Sequence, residues 1–197
     1  MNTTVAITIC SNALMLIGDE PIASFSDDRV GAKIASSFYE TTLISLLSEY
    51  TWSFATKQDK LSMLSEKPLN RWDYVYQLPT DHIRTITVYP VGDYDIVGDK
   101  IYSNTNNLEL DYMYRIDESF FTPLFREALE LHLASKFSIP VTENATNADL
   151  YFGMAQKMFK KAKLIDSQEK PNRGIPAAAA IPLRLRNRGG HAGRRGY

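Results

Sequence analysis

The chain predicts an α+β fold that is mainly α: an antiparallel helical bundle with an inserted small β-sheet, an antiparallel β subdomain, and an extended C-terminal tail. Three observations predict it. Apolar residues recur every three to four positions near both ends of the body. Alternation at period two occupies the middle, and from Lys170 onward the apolar pattern stops. The body is expected over roughly 1–169 and a basic tail over 170–197. Helices are expected over about 4–17, 29–50, 122–138 and 144–167, with the β insertion over about 52–116. With 197 residues and 44% apolar content, the chain suits one domain with an appendage and has enough apolar surface for a core.

In the first helix, Val5, Ile9, Ala13, Leu16 and Ile17 follow helical spacing. Gly18 stands at a natural C-terminal position and Pro21 blocks continuation. Ser26, Asp27 or Asp28 is placed to cap the second helix, which runs from about Arg29 to Tyr50. There Ala35, Tyr39, Leu43, Leu46 and Tyr50 form a stripe flanked by Ile34, Phe38 and Leu47. So broad an apolar face suits a helix central to a bundle.

After Thr51 aromatic and β-branched residues dominate. Trp72, Tyr74 and Tyr76 alternate with Asp73, Val75 and Gln77, Ile83 to Tyr89 reads as a strand, and Asp95 to Tyr102 reads as a hairpin turning at Gly98-Asp99. Leu108, Leu110, Tyr112 and Tyr114 share one face of a last strand. Thr122-Pro123 then opens a third helix with a cap and a proline at its first position. Leu124, Phe125, Ala128, Leu129, Leu131 and Leu133 continue it, and Pro140 is expected to end it. Thr146-Asn147-Ala148-Asp149 resembles a cap for the fourth helix, where Phe152, Ala155, Phe159 and Ala162 line one face. Lys157, Lys160, Lys161 and Lys163 crowd its C-terminal part, where the helix dipole favours cations.

Charge is unevenly spread. The tail carries seven of the chain's 22 Lys/Arg and none of its 23 Asp/Glu, which leaves the body with a charge of −8. With prolines, glycines and four consecutive alanines, the tail offers no amphipathic period and is expected to be extended and disordered in the free protein.

Several function classes find no support. No run of 18 apolar residues is present, so no membrane anchor is expected. The N-terminus lacks the basic start and apolar block of a signal peptide, which points to synthesis in the cytosol. A single cysteine makes no internal disulfide, and Cys10 inside the first helix reads as a buried structural thiol. No phosphate-binding glycine loop occurs. His82, expected in a turn, His132, expected on a helix flank, and His191, in the tail, lack ligand spacing, so neither metal nor cofactor is expected. Asp19, Glu20, Asp27 and Asp28 read as a solvated capping loop; a hydrolase of cell-wall sugars using Glu20, Asp27 or Asp28 as acid and base is the enzymatic rival. The Trp/Tyr-rich sheet reads as core and subunit contact, because only Arg71, Arg84 and Lys100 accompany it as a nucleic-acid stacking surface would require.

Three blocks carry a family resemblance. Ala13-Leu14-Met15-Leu16-Ile17-Gly18-Asp19-Glu20-Pro21-Ile22-Ala23-Ser24 resembles the opening signature of phage tail tubular protein A, the head-to-tail adaptor family of short-tailed bacteriophages. Asp27-Asp28, Ala35, Tyr39, Leu46-Leu47 and Trp52-Ser53-Phe54-Ala55 follow at the family's spacing. Trp72 to Asp81 is similar to its strand-and-turn motif, and Phe121 to Leu129 to its third helix. Together the resemblance covers about residues 5 to 169. One departure is Ser45, where the family often has an arginine before its Leu-Leu pair, so a subunit contact made by that arginine is in doubt here.

The resemblance implies a structural adaptor, with no enzyme activity and no cofactor. It implies a ring of twelve copies in the virion, docked beneath the portal protein, receiving the tail nozzle protein below and passing genomic DNA through its lumen. An acidic lumen suits that role, since DNA affinity comes from Lys/Arg neutralising phosphates. Arg184, Arg186, Arg188, Arg194 and Arg195 are expected to order on docking and grip an acidic portal surface. A solvated tail and a tail touching lumen DNA are the other readings of the same charges. The rival from another class is a nucleic-acid-binding protein acting through this tail.

Overall fold

The structure is a computed structural model, and it describes residues 3–68 and 71–169. The expected α+β architecture is present: the described residues form four helices, with seven strands between the second and third. The elements are α1 (Thr3–Leu16), α2 (Val30–Glu49), β1 (Thr56–Lys60), β2 (Ser62–Met63), β3 (Tyr74–Gln77), β4 (His82–Tyr89), β5 (Tyr94–Val97), β6 (Lys100–Ser103), β7 (Glu109–Tyr114), α3 (Pro123–Thr142) and α4 (Ala145–Glu169). Short 3-10 turns at Ser53–Ala55 and Glu118–Phe120 mark the entry to and exit from the β region.

One sheet was expected and two are found, both antiparallel. The inner sheet has the order β1-β7-β4 and the outer sheet β2-β3-β6-β5. The reason lies in β7, whose two faces both bury apolar groups. Met113 joins Ile83 and Ile86 of β4 against the helices, whereas Leu110 and Tyr112 join Val88, Tyr76 and Ile101 in a second core between the sheets. The layers therefore run helices, inner sheet, outer sheet. The hairpin does turn at Gly98, whose φ of 64° is a left-handed value that glycine adopts without cost.

α3 is the central helix. It packs on α1, α2 and α4, and Phe125, Ala128, Leu129, Leu133, Ala134 and Phe137 are buried along it. α2 contributes Ala35, Tyr39, Leu43, Leu46 and Leu47 to the same core, so its role is less central than expected. Trp52 is fully buried where the helices meet the β region; its ring packs on Tyr50, Phe54, Phe125 and Phe159, and its indole N–H donates to the Leu46 carbonyl at 3.0 Å.

Several boundaries differ from expectation. Pro140 does not end α3: the helix continues to Thr142 and closes where Glu143 turns left-handed, its amide donating to the Ile139 carbonyl at 3.0 Å. A proline in the last turn forfeits only one donor, and the Ser138 and Thr142 hydroxyls donate to the Ala134 and Ser138 carbonyls nearby. The cap of α4 is Asn144, which accepts from the Asn147 amide at 3.0 Å, and not Thr146. The left-handed residue at 143 leaves Asn144 as the first position able to start a new helix. Arg29 precedes α2 without a side-chain cap, because Asp27 instead accepts from the Ala23 amide within its own loop. Leu16, Phe38 and Phe152 reach the surface, while Leu14 takes the inward place beside Ile17. Thr122 caps α3 as expected, with Pro123 at the first helical position.

Candidate interaction surfaces

Four places in the described residues bear on what the chain does. The first is the loop of the opening signature. Gly18 ends α1 with φ 86°, and the amides of Gly18 and Asp19 donate back to Met15 and Leu14 carbonyls. The Ser11 hydroxyl then accepts from the Ile22 amide at 3.1 Å and donates to the Ile22 carbonyl at 3.0 Å, which pins the loop to α1. Arg29 reaches Glu20 at 3.1 Å, Asp27 at 3.6 Å and the Pro21 carbonyl at 2.5 Å; Lys33 meets Asp28 at 3.5 Å. A Cβ at Gly31 would stand 2.7 Å from Asp19 Oδ2 and 3.2 Å from Leu14, so a larger residue there must displace the ends of both side chains. The acidic residues are thus held by cations on an exposed loop whose backbone is tied down, the arrangement of a rigid corner.

The second place is the exit from the β region. Arg115 donates to Glu40 Oε1 at 2.7 Å, to Glu40 Oε2 at 3.0 Å and to Glu118 Oε1 at 2.5 Å, while the Tyr39 hydroxyl contacts Glu118 at 3.3 Å. Glu118 is fully buried. Burial by itself disfavours the Arg115 charge, but the bonds from Glu40 and Glu118 outweigh it and raise its pKa. Burial, reinforced by the Glu118 charge, pushes the Tyr39 phenol well above its usual range. The cluster locks α2 to the segment leading into α3. Asp166 does the same for α4, accepting from the Ser53 amide at 2.9 Å and its hydroxyl at 2.5 Å. Sequence spacing gives no sign of either pairing, because 75 and 113 residues separate the partners.

The third is the helix junction around His132, a buried residue and not the helix-flank position expected of it. Its ring stands edge-on to Phe152 at 6.1 Å and Phe159 at 5.9 Å, and its Nε2 is buried without a hydrogen-bond partner. Burial lowers its pKa, Glu49 acts in the opposite sense, and Lys136 adds to the lowering. His82 opens β4 and approaches the Thr85 hydroxyl at 3.0 Å, so it is a strand residue and not part of a turn. Cys10 is buried as expected, and burial pushes its thiol up to about 12. No group of three or more His, Cys, Asp or Glu side chains able to hold a metal exists among the described residues.

The fourth is the outer surface. Tyr76 and Tyr112 are core residues, and Trp72 is buried with its indole N–H on Asp95 at 3.0 Å and the Arg71 guanidinium 4.6 Å from its ring. These aromatics are packing groups, not an open stacking platform. On α4, by contrast, Leu150, Phe152, Met154, Leu164 and Ile165 are between 39% and 57% exposed, and Lys157, Lys160 and Lys161 stand exposed among them. No helix among the described residues is long and apolar enough to cross a membrane. Arg184, Arg186, Arg188, Arg194 and Arg195, with His191, lie outside the described residues.

No family model matches the chain, and no curated protein matches it.

Proposed function

We propose that this chain is a structural head-to-tail adaptor of a tailed bacteriophage, with no catalytic role, that assembles side by side into a ring between portal and tail nozzle. The observation that carries the reading is the outer face of α4. A 25-residue helix that buries one face on α3 and keeps apolar side chains and three lysines on the surface is suited to a second protein surface. A body of charge −8 supplies the acidic complement in a neighbouring copy. Ring contacts join two different faces of the same subunit, so a basic apolar face and an acidic body are the pair that such a contact uses. Two further features support it. The signature loop is pinned by Ser11, Gly18 and Gly31 into a rigid corner, and the Arg115 and Asp166 clusters fix the helices against the β region. A wedge packed between neighbouring copies keeps its contact faces aligned only if it is rigid.

In this reading the acidic body lines a lumen along which genomic DNA slides, and the tail arginines contact the portal. The test is the mass, by light scattering after size exclusion, of the full chain alone and mixed with its cognate portal ring. A small species that joins the portal at a fixed ratio supports the adaptor and counts the ring. No association with the portal, together with a salt-dependent shift of DNA in a gel, replaces it with the nucleic-acid-binding reading.

A further inference from the structure

Each of the two sheets ends in two edge strands, and three of the four edges carry a device that discourages pairing. β1 reads Thr56-Lys57-Gln58-Asp59-Lys60, a charged edge. β4 is interrupted by two register shifts, and β2 is two residues long. β5 differs. Ile96 and Val97 are 42% and 62% exposed on it, and among the described residues one of its two sides has no neighbouring strand.

The faces of β5 follow from its register. Ile96 lies opposite Ile101, and Ile101 opposite Tyr76, so Ile96 and Tyr94 point toward the core between the sheets. Asp93 and Asp95, both exposed, share the other face with Val97. Asp95 accepts from the Trp72 indole and Arg71, which holds its carboxylate on that side. Pairing of β5 with β5 of a second copy in register at Asp95 would set aspartate against aspartate. The edge selects a strand that alternates apolar and basic residues.

The chain contains such a segment. Leu183-Arg184-Leu185-Arg186 alternates over four residues, preceded by Pro182, which a first strand position tolerates. The alternation is too short to read as a strand by itself, and gains meaning only beside an acidic open edge. We propose that residues 183–186 of the chain's own tail add to β5 as a fifth strand of the outer sheet. The strand runs antiparallel, with Leu183 beside Ile96, Arg184 beside Asp95, Leu185 beside Tyr94 and Arg186 beside Asp93. In this register every leucine meets an apolar residue on the core side and every arginine an aspartate on the opposite face.

Reach favours the same molecule as the source. α4 ends beside the inner sheet, where Asp166 holds Ser53 just before β1. The residues between Glu169 and Leu183 span up to about 45–50 Å when extended. Sheet layers are about 10 Å thick, and a short tether presents its end at an effective concentration on the order of millimolar. The inference goes beyond the adaptor reading and stands without it. Within that reading it means that the free protein parks part of its tail and covers its one inviting edge. Arg188, Arg194 and Arg195 stay available to a partner, and Arg184 and Arg186 reach a portal only by leaving this edge.

Disulfide trapping tests it in the full chain. The Ile96→Cys/Leu183→Cys pair, under mild oxidation, is expected to form one intrachain bond at monomer mass, located by peptide mapping; Cys10 is buried and does not compete. Ile96→Cys/Arg186→Cys is expected to link about tenfold less, since three residues along the strand carry the pair to roughly 10 Å, beyond disulfide reach. Adding Arg184→Asp to the first pair is expected to lower its yield severalfold. Equal yields from the two pairs, no linkage, or bonds formed only between chains each overturn the proposal. These outcomes are independent of whether the chain binds a portal.

Discussion

His132→Phe is the substitution whose consequences the structure specifies most fully. His132 is a buried imidazole with an unpartnered Nε2, facing Phe152 and Phe159 on α4, Glu49 on α2 and Lys136 on its own helix. Glu49 is itself engaged by Lys163 of α4 at 2.6 Å, so it is not free to neutralise a charged imidazole. Burial lowers the folded-state pKa, so the unfolded chain binds the proton first as pH falls. Stability is therefore complete above the unfolded value of about 6.5 and declines below it, by up to about 1.4 kcal/mol per pH unit, until the folded pKa is reached. Phenylalanine removes this loss. It also removes an orphaned polar nitrogen worth roughly 1–3 kcal/mol, against about 1 kcal/mol or more for fitting a larger ring. Urea unfolding at pH 8.0 and pH 5.5 measures both effects. The wild-type chain should lose more stability between the two pH values than the variant. His82, whose pKa is also lowered by burial, contributes equally to both proteins and cancels in the difference. Identical pH dependence in the two proteins would refute the argument that His132 stays neutral in the folded state.

Other consequences are as specific. Trp52→Ala should cost about 3–5 kcal/mol in urea unfolding, because it removes the ring at which α2, α3 and α4 meet the β region and the indole bond to the Leu46 carbonyl. Glu118→Ala should cost roughly 3–5 kcal/mol by leaving Arg115 half-paired in a buried site, and Glu118→Gln, which keeps the hydrogen-bonding shape, should cost less; equal losses would show that the charge alone, and not the hydrogen-bonding shape, carries the stabilisation. The Cys10 thiol, pushed up to about 12, should resist a thiol-specific reagent at pH 8 in the folded chain and react at once in denaturant. Gly31→Ala should cost about 1–3 kcal/mol, and Asp19→Ala should recover part of it, since Asp19 and Leu14 occupy the space a Cβ needs.

The local steps of the chain were legible because they depend on neighbours in sequence. The helical stripes, the Gly18 stop, the Thr122-Pro123 start and the Gly98 turn all rest on backbone and side-chain groups within a few residues of one another. The misjudged positions depend on groups far along the chain. Phe152 sits on the apolar stripe of α4, yet reaches the surface because His132 of α3 takes the space beneath it. Pro140 looked like a stop because the amide it lacks is a local fact, whereas the hydroxyl bonds and left-handed closure that carry α3 past it are not.

By itself the sequence determined the class of the fold, the order of helix and strand, the burial of Cys10 and the polarity of an acidic body with a basic tail. Only the tertiary structure decided that the strands divide into two sheets, that α3 is the central helix, and that Arg115 meets Glu40 and Asp166 meets Ser53. Periodicity reports which side of an element is apolar, but which surface covers that side is settled by competition among all the faces of the folded chain. β7 shows this most directly: its alternation was plain, but the fact that both of its faces would be covered required the helices on one side and the β3-β6 strands on the other.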